Sequence, residues 1–288
     1  MSLTATAQRN AIATASRCLK RSLPSVAAAR RTVSTKPYPE FIKLNWFENA
    51  FLAVGSGLVA LANPRRGDMV ATLAETTAGP SLPRLRDIML KSEEGRQILK
   101  ERPRINTNTV DMEALDKMPE GSFGKSYVTW LHRCGVTPDT RAPVQYIEDP
   151  ELAYVMQRYR ECHDFYHAIV NMPVSVEYEV AVKAFEFANL GIPMTGLGAA
   201  LGPLRTTGER RRRLMTEFMP WALRCGSSAR SLITVYWEKR WDQNIEDMKR
   251  EFGIWDPPAP KWRLKPLKEA ELAAAKRKQM EQVTKATL

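Results

Sequence analysis

Apolar residues recur at spacings of three and four along much of the chain, whereas the strict alternation typical of strands is scarce. Residues 83–102 and 122–134 have this helical spacing and end at Pro103 and Gly135, which are ordinary stop signals. The apolar run at residues 50–62 is too short to cross a bilayer and predicts a core or interfacial helix. The pattern therefore predicts an all-α fold.

The clearest helix begins after Asp149, which is placed to cap it, with Pro150 at the first helical position. It is predicted to end at Pro173. The period of the helix puts His163 and His167 on a face that is otherwise apolar or aromatic. Both imidazoles are therefore predicted to point into the core.

Two further helical regions follow. A helix is predicted over residues 175–190, and the small residues of GLGAALG at 196–202 allow close approach of backbones. That glycine pattern also resembles a dinucleotide-binding loop, but no strand precedes it, so close helix packing is favoured. A long helical pattern then continues to about residue 252, bent or restarted at Pro220, and it carries three tryptophans, Trp221, Trp237 and Trp241.

Charge is distributed unevenly along the 288 residues. Residues 1–39 hold seven Lys or Arg and no acid, and residues 261–288 hold eight basic against three acidic residues. The remaining residues, 40–260, hold 28 basic and 29 acidic residues, so the net charge of +11 lies in the two ends. A nearly neutral body argues against a nucleic-acid partner.

The N-terminal region is rich in Ala, Ser, Thr and Arg and lacks a secretory apolar stretch. This composition predicts a mitochondrial transit peptide at residues 1–36, cleaved near RRTVST at 30–35, the alternative being a basic disordered arm. A helical domain is predicted for residues 37–260, followed by a basic tail at 261–288. The four cysteines lack CxxC spacing, which argues against a disulfide framework.

Candidate chemistry is concentrated where the clearest helix ends. His163 and His167 project about one turn apart from one face, and Asp164 lies close enough on the helix to join them. Glu179 lies on the next helix, which can fold back against the first, whereas Glu177 is predicted to point to the opposite side. Two imidazoles and two carboxylates suit Zn²⁺, with Fe²⁺ or Mn²⁺ left open.

The alternative is an ordinary polar helix surface. Arg160 and Asp164 have the spacing of an i,i+4 ion pair, as do Glu179 and Lys183. Two imidazoles on an apolar face are costly without a shared partner, which favours the metal. The basic run at residues 210–213 is typical of a solvated helix start, with contact to anionic lipid as the alternative.

The motif HDFYH, followed by eleven residues and then Glu179, resembles the HDxxHx11E signature of the mitochondrial coenzyme Q biosynthesis protein four family. The chain is similar to that family over residues 37–260, including NPRRGD at 63–68, RPRI at 102–105 and GIPM at 191–194. The basic C-terminal tail departs from the family pattern.

The resemblance implies an all-helical protein, peripheral on the matrix side of the mitochondrial inner membrane and part of the multi-enzyme ubiquinone-synthesis complex. It implies a Zn²⁺ site at His163, Asp164, His167 and Glu179. It also implies a carboxy-lyase that removes the C1 carboxyl group of 4-hydroxy-3-methoxy-5-polyprenylbenzoate, with coupling to C1 hydroxylation left open.

Two other functions are consistent with the same residues. The chain could be a non-catalytic scaffold of that complex, which binds polyprenyl lipid and holds a structural metal. A phosphohydrolase of the HD type is the weaker alternative, because that class needs further His and Asp ligands and His132 is the one other histidine. The sequence does not decide whether the chain forms a homo-oligomer. It also does not decide which group would deliver the proton.

Overall fold

A computed structural model describes residues 36–258 of the chain. These residues form helices and no strand, apart from an isolated antiparallel bridge between Ser122 and Asn244, so the predicted all-α fold is confirmed. The helices are α1 (Trp46–Ala62), α2 (Gly67–Thr77), α3 (Ser81–Lys91), α4 (Glu93–Glu101), α5 (Met112–Asp116), α6 (Phe123–Cys134), α7 (Pro150–Ile169), α8 (Val176–Leu190), α9 (Pro193–Leu201), α10 (Gly208–Arg213), α11 (Met219–Ser228) and α12 (Ile245–Phe252).

Two predicted regions lie outside the described residues. These are the transit peptide at residues 1–36, except for Lys36, with its cleavage segment at 30–35, and the basic tail at 261–288. The described part falls almost entirely within the helical domain predicted for residues 37–260.

Helix α7 forms the centre of the fold. Asp149 caps it as predicted, because its carboxylate accepts hydrogen bonds from the backbone N–H groups of Glu151 and Leu152. All residues from 153 to 169 are buried, and α3, α4 and α6 pack around the helix. A helix enclosed on every side must bury polar residues as well as apolar ones, so its charged groups need partners from elsewhere in the chain.

Those partners come from distant segments. The guanidinium of Arg160 lies 2.9 Å from a carboxylate oxygen of Glu75 on α2, and Glu161 accepts from Arg104 at 2.7 Å. Each charge on α7 is thereby neutralised by a specific residue of another element. Loss of Arg160 or Arg104 would leave a buried carboxylate without its counter-charge, which is a costly state.

Small residues bring α8 close to its neighbours α9 and α11, as the glycine pattern predicted. A Cβ added at Gly226 of α11 would lie 2.4 Å from the carbonyl oxygen of Phe185, and one at Gly202 would lie 2.2 Å from Cγ2 of Val180. Real Cβ atoms do not approach so closely. The glycines therefore fix α8 against these neighbours, and α8 carries part of the candidate site.

The helical pattern predicted at residues 83–102 is confirmed, but it is divided between two helices, α3 and α4. Ser92 adopts an extended conformation between them, and its hydroxyl accepts a hydrogen bond from the N–H of Gly95 at 2.8 Å. A serine that caps a new helix outweighs the apolar period that runs across the junction.

The tryptophan-rich helix predicted to continue to residue 252 restarts near Pro220 as predicted, but its continuation beyond residue 228 is wrong. A π-helical turn at Leu214–Phe218 precedes the restart in α11 near Pro220, and residues 229–244 are largely irregular before α12 begins. Within that irregular stretch, the ring of Trp241 stacks on Phe123 at 5.3 Å. Aromatic burial against α6 determines the path of this segment more than helical period does.

Helix α1 confirms the predicted short apolar helix and leaves much of its surface exposed. Phe47, Phe51, Val54 and Leu58 fall on one helical face, and each has between 63% and 69% of its surface exposed. Within residues 36–258, no helix combines the length and the apolar character needed to cross a membrane.

Candidate metal centre

The candidate centre lies where α7 ends and α8 begins. The chain leaves α7 through Asn171, whose φ is +51°, and the backbone N–H of Met172 donates to the carbonyl of His167 at 3.0 Å. Pro173 prevents continuation of the helix. The turn brings the first turn of α8, which contains Glu179, back to the last two turns of α7.

Three of the four predicted ligands meet there. Nε2 of His163 lies 3.4 Å from one carboxylate oxygen of Glu179, and Nε2 of His167 lies 3.3 Å from the other. The two imidazole rings are nearly perpendicular, with centroids 4.8 Å apart. One ligand atom from each residue lies within 4.8 Å of the others, which is a spacing that a single metal ion can bridge.

The second nitrogen of each imidazole is held by an acceptor. Nδ1 of His163 lies 2.6 Å from a carboxylate oxygen of Glu186, and Nδ1 of His167 lies 3.2 Å from the carbonyl oxygen of Met172. A carbonyl and an ionised carboxylate can only accept. Nζ of Lys183 also lies 3.2 Å from Nδ1 of His163, but this ammonium donates to Glu186 at 2.7 Å. The closer carboxylate therefore assigns the ring proton of His163 to Nδ1, as the carbonyl of Met172 does for His167. The lone pairs of both Nε2 atoms then face Glu179.

This arrangement needs a cation. Two Nε2 lone pairs and a carboxylate are all acceptors, and Nε2 of His167 is buried without a hydrogen-bond partner among the described residues. Protons or a metal ion could supply the missing positive charge. Metal-binding histidines commonly donate their other N–H to a carboxylate or a carbonyl, and both histidines do so here. The residues present therefore fit a divalent metal.

The ionisation of the centre shows the same need for positive charge. Burial opposes ionisation of Glu179, but His167 and His163 hold the pKa of its carboxyl well below the ordinary value. Burial and Lys183 would lower the pKa of His163, yet the carboxylates of Glu186 and Glu179 raise it above the ordinary value. The centre therefore attracts positive charge, which protons on the imidazoles or a divalent cation bound to the neutral imidazoles can supply.

Asp164, the fourth predicted ligand, lies outside this group of three. Its Oδ1 accepts a hydrogen bond from Nη2 of Arg141 at 2.6 Å, and its side chain is buried. The structure thus brings His163, His167 and Glu179 together. Asp164 lies beside them and is paired with the guanidinium of Arg141.

The pairings that defined the alternative polar surface are wrong. Arg160 pairs with Glu75 rather than with Asp164, and Lys183 donates to Glu186 at 2.7 Å rather than to Glu179. Arg160 is buried and reaches another helix, whereas Lys183 takes its partner three residues along α8 instead of four residues back.

Glu177 points away from the centre, as predicted. Its carboxylate accepts from the guanidinium of Arg213 at 2.9 Å. It is buried like His163 and His167, and it lies on the same helix as Glu179. Glu177 is therefore a matched control for substitutions at Glu179 and at Glu186.

The residues that support His163 were not predicted from the sequence. Glu186 is fully buried, and its carboxylate accepts from Lys183 at 2.7 Å and from the hydroxyl of Tyr159 at 3.0 Å. Burial opposes ionisation, but Lys183 and His163 lower the pKa of Glu186 to about 2. One signal of this support was present in the sequence. Glu179, Lys183 and Glu186 are spaced by four and three residues, which places all three on one face of α8.

Replacing Glu186 with glutamine is expected to weaken metal binding about 10- to 100-fold, which is the range seen when such supporting groups are lost. The amide is neutral, so it orients His163 less strongly and leaves Lys183 without its counter-charge. Titration of metal-free protein with Zn²⁺ against a chelator measures the change. Glu177→Gln should retain wild-type affinity, and equal affinities for all three proteins would show that Glu186 does not support the centre.

Comparisons with known proteins agree on one family. The family model described as "Coenzyme Q (ubiquinone) biosynthesis protein Coq4" matches residues 38–258. "Ubiquinone biosynthesis protein COQ4, mitochondrial" from Coprinopsis cinerea is 66% identical over 254 residues, which cover 88% of this chain and 87% of that protein. The protein of the same name from Yarrowia lipolytica is 49% identical over 224 residues, or 77% of this chain and 86% of that one.

A solved structure shows the same fold. The crystal structure of a proposed ubiquinone biosynthesis protein from Nostoc punctiforme is similar with a TM-score of 0.55. The match covers 71% of this chain and 98% of that chain at 22% identity. At this identity the likeness supports the helical architecture alone.

Proposed function

The chain belongs to the Coq4 family of coenzyme Q (ubiquinone) biosynthesis proteins, and from this premise we propose that its centre removes the C1 carboxyl group of 4-hydroxy-3-methoxy-5-polyprenylbenzoate. The observation that carries the proposal is the convergence of His163, His167 and Glu179, with both imidazoles oriented from behind by acceptors. A scaffold without a metal has no need for such an oriented acceptor set.

The proposed reaction follows from the substrate's own chemistry. A proton adds to C1, the ring loses its aromaticity, and the para oxygen accommodates the change in charge. The bond between C1 and the carboxyl carbon then breaks, CO₂ leaves, and the electron pair restores the aromatic ring. The protein must therefore hold the ring in place, accept an anionic carboxylate and deliver one proton to C1.

The residues of the chain divide these tasks. His163, His167 and Glu179 would hold a divalent metal such as Zn²⁺, and when bound this ion supplies Lewis acidity toward a substrate oxygen. Asp164 is the further ligand proposed from the family resemblance. Of Glu179 and Asp164, whichever carboxyl group is not a tight ligand of the metal could carry the proton to C1.

The prenyl tail would lie along the small-residue segment that follows α8. Leu197 and Leu201 of α9 are each 42% exposed, Leu204 just beyond is 64% exposed, and Phe187 of α8 lies against Gly196. These apolar side chains offer a path from the region of α8 to the surface. A long tail buried along them would gain affinity in proportion to the apolar area covered.

Cells that carry ligand-site variants test this function against a scaffold role. With the variant protein present at normal levels, His163→Ala should prevent ubiquinone synthesis and lead to accumulation of the carboxylated precursor. Mass spectrometry of lipid extracts measures both. Normal ubiquinone levels with this variant would favour a non-catalytic scaffold, for which the metal is dispensable or structural.

The exposed face of α1 supports peripheral attachment to the matrix side of the mitochondrial inner membrane, where the ubiquinone-synthesis complex would lie. Trp46 is 81% exposed at the start of the helix, and Arg65 and Arg66 are exposed just after its end. Arg205 donates to the carbonyl of Leu61 at 2.6 Å, which fixes this end to the segment that carries Leu204. Apolar residues flanked by basic ones suit an anionic lipid surface.

Carbonate or high-salt washing is expected to release the protein from mitochondrial membranes, because the attachment is interfacial. Replacing both Phe51 and Leu58 with serine should weaken binding to anionic vesicles by about ten-fold or more, because each apolar side chain would bury surface in the lipid. Leu90→Ser, at a 45% exposed position of α3, is the control. Retention after carbonate washing, or equal binding by all variants, would contradict this attachment.

A further inference from the structure

Arg141 is held beside the centre by a short, well-anchored loop. It follows the 3₁₀ turn Pro138–Thr140, where the carboxylate of Asp139 accepts from the backbone N–H of Thr107 at 2.9 Å and from its hydroxyl at 2.8 Å. The guanidinium reaches α7 and donates to Asp164, the neighbour of His163. Both the backbone near Arg141 and its guanidinium are therefore held in place by hydrogen bonds to other parts of the fold.

The hydrogen-bonding capacity of Arg141 is only partly used. A guanidinium has five N–H donors in a planar fork. Nη2 donates to Asp164 at 2.6 Å, whereas Nε is buried without a hydrogen-bond partner among residues 36–258. Buried polar groups are normally satisfied, so an unused donor beside a candidate active centre points to a ligand that would accept from it.

Solvent reaches the centre beside Arg141. The side chains of Arg141 and Glu179 are 31% and 33% exposed, whereas those of His163, His167 and Asp164 are 7% exposed or less. Arg141 and Glu179 are therefore the groups of the centre that a ligand from solvent meets first.

The charges around this opening favour one role for the guanidinium. An anionic ligand would be repelled by Glu179 and Asp164, and the nearby cations Lys183 and Arg160 are already paired with Glu186 and Glu75. Arg141 is also paired, with Asp164, but its side chain is 31% exposed and keeps donors that no described residue uses, so it can contact an anionic ligand and offset part of that repulsion. Its planar fork matches a carboxylate better than a lysine ammonium does.

We propose that Arg141 recognises the carboxylate of the substrate and so distinguishes a prenylated 4-hydroxybenzoate from the prenylated phenol that lacks this group. This role rests on the proposed function. It makes Arg141 the residue that selects a substrate with a carboxyl group. Because the carboxylate is lost in the reaction, the same contact is absent from the product, which lowers the product's affinity and favours its release.

Binding of two short-tailed ligands to the purified full-length protein tests this role. One is the 4-hydroxy-3-methoxybenzoate with a short prenyl chain, and the other is the matching phenol without the carboxyl group. Arg141→Gln should weaken binding of the benzoate about 10- to 100-fold, as expected for loss of hydrogen bonds to a charged group, and should change binding of the phenol less than about two-fold. Arg141→Lys should retain part of the benzoate affinity through its charge.

Arg104→Gln is the matched control, because Arg104 also pairs with a buried carboxylate of α7, Glu161. It should leave the preference for the benzoate unchanged. Equal loss of both ligands on Arg141→Gln, or no loss of either, would overturn the role of Arg141 alone. Failure of the wild type to bind either ligand would overturn the role together with the proposed function. If Arg141→Gln does not fold, Arg141→Lys provides the same comparison.

Discussion

Replacing His163 or His167 with alanine is expected to abolish stoichiometric binding of a divalent metal. Each histidine supplies one of three converging ligand atoms, and each is oriented by a dedicated acceptor on Nδ1. With one imidazole removed, the remaining nitrogen and carboxylate cannot enclose an ion. Elemental analysis of purified protein should give about one metal per chain for the wild type and close to none for these variants.

Glu179→Ala should lose the metal as well, whereas Glu177→Ala should keep it, because Glu177 is turned toward Arg213. A ligand variant should also unfold more easily than the wild type, since the orphaned groups remain buried without a partner. Metal retained by both histidine variants, or lost equally from Glu177→Ala and Glu179→Ala, would show that the ion is held elsewhere.

Asp164→Ala separates two roles of one carboxylate. The family resemblance predicts that this variant loses the metal, as the histidine variants do. The pairing with Arg141 adds a second consequence, because the guanidinium loses the contact that positions it. Metal analysis of the variant tests the role of Asp164 as a ligand. The preference for binding the benzoate over the phenol tests its role in positioning Arg141.

The core of the site could be predicted from sequence because its determinants are local. A spacing of four places two imidazoles on one face of a helix, and Pro173 followed by a helical pattern implies that the chain turns back. The helix bounds near the site were also predictable, since Asp149 with Pro150 and the glycine at 191 are strong start and stop signals.

The groups around the ligands could not be predicted in the same way. Arg141 meets Asp164 across 23 positions of sequence, and Arg160 meets Glu75 across 85. Period and spacing describe one helix at a time, whereas a helix buried on all sides takes its ion partners from whatever elements surround it. The same reason explains why Trp237 and Trp241 were assigned to a helix, although burial against α6 determines their place.

Release of CO₂ by the purified protein tests the central claim most directly. The substrate is a short-tailed 4-hydroxy-3-methoxybenzoate whose C1 carboxyl carbon is labelled, and the assay is run in air so that it reads either product, with hydrogen or hydroxyl at C1. Metal-loaded wild type and Glu177→Gln should release labelled CO₂, whereas His163→Ala should release it at least about a hundred-fold more slowly, because the ligand set that orients the substrate is lost. The absence of labelled CO₂ from metal-loaded wild type that binds this substrate would contradict the assignment of a carboxy-lyase.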